Sequence, residues 1–161
     1  MKKTLAILLF AFLLIVGCTN SPENSKQNVE LIEKYVQSVE NMDFDAMDAV
    51  LDDNYKGYGP SINDSINKDQ AILNWKFNVE NLYKTIKYNK SRNASILVED
   101  GDNQGDWVAN WAELEITYKD SGESVTIWAN TNYLIKNGKI VKSYSFYNEA
   151  DVLEQLGYSF Y

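Results

Sequence analysis

The residue types in this chain narrow the chemistry that it can carry out. The 161-residue sequence contains no histidine and a single cysteine, Cys18. Ser-His-Asp and Cys-His catalytic arrangements and histidine-ligated metal centres are therefore excluded. Proton transfer would depend on a carboxylate, a lysine or a tyrosine. We predict no metal site and no bound cofactor.

Glu113 is the carboxylate with the most suggestive surroundings. It alternates with Trp107 and Trp111 along a predicted strand, so the three side chains share one face. If that face lines the interior of the protein, burial beside indole rings makes Glu113 a candidate general acid or base. If the face is solvated, Glu113 is an ordinary surface charge. The sequence leaves both placements open.

A long hairpin dominates the second half of the chain. Two β-branched and aromatic runs flank Asn137 and Gly138, and both residues accept the positive φ of a tight hairpin turn. Arms of this length belong to a large, curved sheet. The predicted strands cover residues 85–98, 107–118, 124–136 and 139–148. Polar residues 89–93 predict a bulge or an edge position in the first of them.

Helices are predicted in the first half. An apolar period of 3.6 residues favours a helix over residues 28–41, and Asp43 can cap a shorter helix that ends before Asn54. Asn67, with Gln70 at the capping-box position, begins a third helix. Residues 55–60 carry two glycines and a proline, which predicts a short extended link rather than a central strand.

This order of elements indicates an α+β fold in which helices lie on one face of a sheet. We predict a single domain at residues 28–161, with three N-terminal helices packed on a strongly curved, mainly antiparallel sheet of four to six strands. A short terminal helix is expected at residues 151–156.

The first residues are typical of a processing segment. Lys2 and Lys3 precede a twelve-residue apolar stretch at residues 5–16, which is too short to span a membrane as a helix. It ends in Ile-Val-Gly-Cys, which resembles the bacterial lipobox. The resemblance implies a signal peptide at residues 1–17 and a lipid, such as palmitate, on Cys18. The alternative is an ordinary secretory signal with a chance cysteine.

Either alternative places the mature protein outside the cytoplasm, and the lipobox predicts an exported, membrane-anchored lipoprotein of the bacterial cell envelope. Residues 18–27 are polar and are predicted to be a flexible tether. The formal charge is −8, and no basic cluster interrupts the acidic trend. An acidic chain repels phosphate backbones, so nucleic acid is not expected as a partner.

Three motifs lie in a characteristic order along the chain. They are the Leu-Asp-Asp-Asn-Tyr run at residues 51–55 ahead of a Gly-Pro link, the Asn-Gly-Lys-Ile hairpin at residues 137–140, and the closing Gln-Leu-Gly at residues 155–157. Together they resemble the nuclear transport factor 2-like superfamily, and more narrowly its SnoaL-like domains. The resemblance covers about residues 28–157. It implies a cone whose open end holds a mostly apolar pocket.

The resemblance also implies site residues. In SnoaL-like enzymes an aspartate on the last strand transfers protons, and the matching position here is Asn148, an amide that cannot do so. Asn148 can still orient a ligand, or it merely ends the strand. The aromatic residues at positions that line cone pockets are Tyr58, Trp75, Trp111, Tyr133 and Tyr144. Their alternative role is to fill the core.

Sheets of this superfamily often pair through their outer faces. Trp128, Asn130, Asn132 and Leu134 alternate along one strand and share such a face. We therefore predict a homodimer.

Two functions remain open from the sequence. The favoured one is a non-catalytic domain that binds a small hydrophobic or amphipathic ligand, or a partner protein, at the cell surface. The alternative is a SnoaL-like lyase, isomerase or hydrolase that uses a pocket carboxylate, Glu113 foremost, or a tyrosine.

Overall fold

A computed structural model describes residues 22–159. The helices are α1 (Pro22–Glu40), α2 (Phe44–Val50), α3 (Lys68–Asn81) and α4 (Glu149–Gln155). The strands are β1 (Leu51–Tyr58), β2 (Ser65–Asn67), β3 (Tyr83–Val98), β4 (Gly105–Tyr118), β5 (Ser124–Lys136) and β6 (Lys139–Tyr147). The predicted signal peptide and Cys18 lie outside the described residues.

The first helix begins earlier than the sequence pattern indicates. Residues 22–27, predicted to belong to the tether, form its first turns. Glu23 lies in the first turn, where the helix dipole favours a negative charge, and the Gln27 amide donates a hydrogen bond to it at 3.1 Å. Local polar contacts thus extend the helix beyond its apolar stripe.

No helix within residues 22–159 is long and apolar enough to cross a membrane.

The next two helices begin at the predicted caps. The Asp43 side chain accepts a hydrogen bond from the Ala46 backbone N–H at 3.0 Å. Asn67 accepts one from the Gln70 N–H at 2.9 Å, and the Gln70 side chain accepts one from the Asn67 N–H at 3.0 Å, which completes a capping box. This box fixes the start of α3, the helix that forms one wall of the cavity described below.

The six strands form one sheet in the order β2-β1-β6-β5-β4-β3. All neighbouring pairs are antiparallel except β1 and β6. Asn137 and Gly138 adopt φ of 52° and 69°, as the hairpin prediction requires. The register of β3 shifts between Asn89 and Arg92, so the predicted bulge is present, and β3 is also an edge strand.

The prediction for residues 55–60 is wrong over most of its length. Leu51–Tyr58 is a strand that lies between β2 and β6, inside the sheet. Its parallel pairing with β6 joins residues far apart in sequence, so no local sequence pattern predicts this pairing. Leu51 itself begins this strand instead of closing the second helix.

A second irregularity decides which side chains of β6 face the core. Ile135 pairs with Ile140, but Leu134 pairs with Lys142, so Val141 is an extra residue in β6. A shift of one residue turns every later side chain of the strand to the opposite face. Ser143 and Ser145 consequently face the helices, and Tyr144 faces away from them.

The core lies between the concave face of the sheet and the first three helices. The curved sheet and the segregated helices confirm the predicted α+β cone. The most completely buried side chains are Ile32, Val39, Met47, Leu51, Val108, Val125 and Ile140.

Candidate functional site

A cavity of about 280 Å³ lies between α3, the β1–β2 connection and the concave face of the sheet. Most of its wall is aromatic or carries a hydroxyl or amide group. The aromatic lining residues are Tyr35, Tyr55, Tyr58, Trp75, Tyr88, Tyr133 and Tyr147. The polar ones are Asp64, Ser65, Asn74, Asn78, Thr131, Ser143 and Ser145. The volume suits a small molecule.

Two buried tyrosines from different elements meet in this wall. Tyr35 comes from α1 and Tyr133 from β5, and their rings make an edge-to-face contact with centroids 5.7 Å apart. Such contacts fix ring orientation as well as burying apolar area. The Trp75 side chain reaches the same cavity from α3.

Hydroxyl pairs order the sheet side of the cavity. The Tyr55 hydroxyl and the Ser143 hydroxyl are hydrogen-bonded at 2.7 Å, and both residues are buried. Thr131 and Ser145 form a second hydroxyl pair at 3.1 Å. Gly57 makes room for the first pair, because a Cβ at that position would lie 2.6 Å from the Tyr55 oxygen. The glycine therefore marks a close approach inside a strand.

Burial makes four of the phenols in the cavity wall harder to ionise. It is the main cause that raises the pKa of Tyr35, Tyr55, Tyr88 and Tyr133 above the ordinary value of 10.0. These four phenols therefore contribute neutral hydroxyl groups and aromatic faces to the cavity wall. Among the described residues no group of three or more Cys, Asp or Glu is arranged to hold a metal.

The structure brings three of the predicted pocket residues to the cavity. They are Tyr58, Trp75 and Tyr133. The Tyr58 ring also stacks on Tyr144, with centroids 4.9 Å apart, so it lies at the boundary between the cavity and the outer face.

The other three predicted pocket residues lie elsewhere. Tyr144 is turned to the outer face by the bulge at Val141, where it stacks on Trp107 at 5.9 Å. Trp111 lies on the same outer face and is 43% exposed. Asn148 follows β6 and caps α4, accepting a hydrogen bond from the Asp151 N–H at 3.3 Å. Placing these three in the cavity is therefore corrected by the structure.

The sequence leaves two placements open for Glu113, and the structure shows the one on the outer face of the sheet. Leu114 packs against the core, and strand alternation puts Glu113 on the opposite, outer face. Its carboxylate pairs with the Lys90 ammonium at 2.5 Å. Glu113 does not line the cavity.

Sequence reasoning missed several lining residues. Tyr35 lies beside the apolar stripe of the first helix. Tyr55 and Tyr88 lie in segments whose sequences show no clear alternation of apolar and polar residues. The spacing of Tyr55 and Gly57 is the one feature of the sequence that could have indicated Tyr55 as a lining residue. Ser143 could not be assigned a face without the bulge.

A second, shallow hollow lies on the outer face near the end of β6. Its lining residues are Trp111, Trp128, Ala129, Asn130, Phe146, Tyr147 and Asn148. Trp128 is 68% exposed and Phe146 is 51% exposed. Asn130 and Asn132, predicted to share this face, are hydrogen-bonded to each other at 2.9 Å, whereas Leu134 is buried. The face therefore presents large apolar side chains to water.

Comparison with known proteins identifies the class of fold. No family model matches the chain, and no curated protein matches it. Many solved structures do. The strand order and the helices on one face of the sheet define an α+β cone fold, and these solved structures share that fold.

Three solved structures place the fold more narrowly. IdmH from Streptomyces antibioticus, a proposed polyketide cyclase, is 14% identical, with a TM-score of 0.67 over 82% of this chain and 99% of that one. A SnoaL-like protein from Shewanella denitrificans, also a proposed polyketide cyclase, is 11% identical, with a TM-score of 0.64 over 81% and 96%. An epoxide hydrolase from M. tuberculosis is 16% identical, with a TM-score of 0.64 over 83% and 91%. The chain thus has the SnoaL-like fold, and at these identities the likeness extends to the fold alone.

Proposed function

We propose that this protein is an exported lipoprotein, acylated at Cys18, whose cone domain binds a small amphipathic molecule without changing it chemically. The lipid holds the domain at a membrane surface of the bacterial envelope. The cavity between α3 and the sheet is the binding site.

The lining of the cavity is the observation that carries this proposal. Aromatic rings supply apolar contact area, while paired hydroxyls and the amides of Asn74 and Asn78 supply hydrogen bonds. A wall of this composition suits a molecule with both apolar and polar parts.

The same lining argues against catalysis. A general acid or base must exchange its proton near the working pH, and burial moves the tyrosine pKa values away from that range. Among the described residues that line the cavity, Asp64 is the one carboxylate, and it is exposed at the rim. Glu113 is on the other face of the sheet.

Ligand-induced stabilisation tests the binding site. A small amphipathic molecule at roughly 100 times its Kd should stabilise the wild-type protein by about 2.7 kcal/mol, seen as a rise in Tm. Ser145→Phe places a ring in the cavity and should abolish the rise. Thr126→Phe, a matched change at an exposed outer-face position of β5, should preserve it.

Two results would contradict the proposal. A screen in which no amphipathic molecule stabilises the wild-type protein would remove the binding function, and equal stabilisation of the Ser145→Phe variant would remove the cavity as its site. The alternative, a SnoaL-like lyase, isomerase or hydrolase, predicts that the bound molecule is altered. Mass spectrometry of that molecule after incubation distinguishes the two functions.

The membrane anchor has a separate test. Cys18→Ser removes the only thiol that can be acylated, so the protein should move from the membrane fraction to the soluble extracellular or periplasmic fraction. Fractionation and immunoblotting measure the distribution, with Ser25→Ala as a control substitution in the following segment. An unchanged distribution of the Cys18→Ser variant would overturn the anchor.

A further inference from the structure

The charge of the cavity selects among amphipathic ligands. Of the described residues that line it, none is a lysine or arginine, and one, Asp64, is an acid. The chain as a whole carries a formal charge of −8. An anionic group entering the cavity would meet no cation to pair with, so an anionic ligand is disfavoured.

Asp64 is held at the rim by the backbone of the β1–β2 connection. The Gly59 N–H donates a hydrogen bond to the Asp64 carbonyl at 3.2 Å, and the Asp64 N–H donates one to the Ser61 carbonyl at 3.0 Å. A Cβ on Gly59 would lie 3.1 Å from the Asp64 carboxylate oxygen, so the carboxylate lies directly across this glycine. Both residues line the cavity.

The Asp64 carboxylate is available to a ligand. It forms no ion pair with any residue between 22 and 159. Its charge nevertheless reaches the cavity wall: the pKa of Tyr147 is raised by burial first, and then by the carboxylates of Glu149 and Asp64. A negative potential therefore extends from the rim over at least one lining tyrosine.

Tyrosine and tryptophan rings attract cations through the negative potential of their faces. Six tyrosines and one tryptophan line this small cavity. Neutral rings of this kind hold alkylated ammonium groups well, because such groups are weakly hydrated and make apolar contacts as well.

We propose that the cavity binds a small organic cation, with an alkylated ammonium group among the aromatic rings and its charge balanced by Asp64. This inference rests on the proposed function of the cavity as a binding site and names the class of ligand. The cation is either a free molecule or the headgroup of a lipid in the membrane that carries the protein.

Choline and its uncharged carbon analogue, 3,3-dimethylbutan-1-ol, form the matched probe pair. The two differ only in the atom that bears the three methyl groups, so shape is held constant while charge is removed. Calorimetric titration of the full-length protein in phosphatidylglycerol nanodiscs should give a choline affinity at least about 10-fold above that of the analogue.

Asp64→Asn tests the role of the carboxylate. Because the side chain is exposed and has no ion-pair partner, the variant should fold as the wild type does. It should weaken choline binding on the order of 10-fold and leave analogue binding unchanged. Asp102→Asn, the same change in the exposed β3–β4 turn, should leave both affinities unchanged.

The outcomes separate this inference from the binding function itself. Equal affinity for choline and the analogue overturns the cationic ligand but leaves a binding cavity. No binding of either probe also overturns the cationic ligand, and the wider amphipathic screen then decides the binding function on its own. Equal loss of choline affinity in Asp64→Asn and Asp102→Asn would overturn the part assigned to Asp64.

Repeating the titration after adding phosphatidylcholine to the discs identifies the source of the ligand. Weaker free-choline binding in those discs supports a lipid headgroup that reaches the cavity. Unchanged binding supports a free cation.

Discussion

Raising the pH above about 10 is expected to unfold this protein in a narrow range. Burial raises the pKa of Tyr35, Tyr55, Tyr88 and Tyr133 above 10.0, whereas in the unfolded chain these phenols ionise near that ordinary value. Their contribution to stability is therefore complete below pH 10.0 and is lost as the pH rises towards the folded-state pKa values.

The size of the effect follows from proton linkage. Each such phenol lowers the free energy of unfolding by about 1.4 kcal/mol per pH unit above its unfolded-state pKa. Three of them, Tyr35, Tyr88 and Tyr133, together remove about 4 kcal/mol within roughly one unit, which approaches the whole stability of a marginally stable domain, about 5 kcal/mol. Circular dichroism should be lost in one cooperative transition, and the phenolate absorbance of the buried tyrosines should appear in the same transition.

A pair of variants checks the cause. Tyr35→Phe removes one of the buried phenols and should move the transition to higher pH. Tyr158→Phe removes a phenol that is 63% exposed, and it should leave the transition in place. If the part of the phenolate absorbance that Tyr35→Phe removes rises before the circular dichroism signal is lost, the assignment is contradicted, because Tyr35 would then ionise in the folded protein.

Local signals predicted most of this fold correctly. Asn137 and Gly138 can take positive φ, and Asp43 and Asn67 can cap helices, whatever the rest of the chain does. Their geometry depends only on neighbours within a few residues, so the sequence is sufficient. The fold class follows from the order of these elements.

Non-local pairing explains the errors. Strand β1 is held by a parallel partner almost ninety residues away, and its Gly57 serves the Tyr55–Ser143 contact instead of ending the strand. Taken alone, the two glycines and the proline predict that residues 55–60 are a link and not a central strand. The contacts that stabilise β1 join residues far apart in sequence, so a short stretch of sequence does not contain them.

The sequence predicted only part of the candidate site, and non-local pairing again explains the errors. Tyr133 and Tyr144 would share a face if the Asn-Gly turn alone set the register, but the extra residue Val141 separates them. For Glu113 the alternation with Trp107 and Trp111 was correct. The face that meets the helices could not be told from the other, since both faces carry aromatic residues.

Replacing Trp128 with lysine is expected to convert a dimer into a monomer. Trp128, Phe146 and Trp111 form an apolar patch on the outer face of the sheet and are 68%, 51% and 43% exposed. Water contact with large rings is unfavourable, and a two-fold axis through this face would bury the patch against its own copy. We therefore propose that the predicted homodimer forms here.

Trp128 is the most exposed of the three and should contribute most to association. Truncating a central tryptophan in an interface typically costs 2 kcal/mol or more, a factor of about 30 in affinity, and the two-fold axis applies this loss in both copies. A lysine adds the cost of burying its charge. Sedimentation of the protein without its first 21 residues, at micromolar concentration, should show a dimer for the wild type and a monomer for Trp128→Lys.

The matched control distinguishes a specific interface from general stickiness. Leu73 on α3 is 65% exposed and lies on the helical side of the molecule, so Leu73→Lys removes a comparable apolar side chain from a surface that the dimer does not use. It should remain dimeric. Because the cavity opens on the concave side and the patch lies on the convex side, Trp128→Lys should also leave ligand binding unchanged. A wild-type protein that sediments only as a monomer would show that the exposed tryptophans do not mediate self-association.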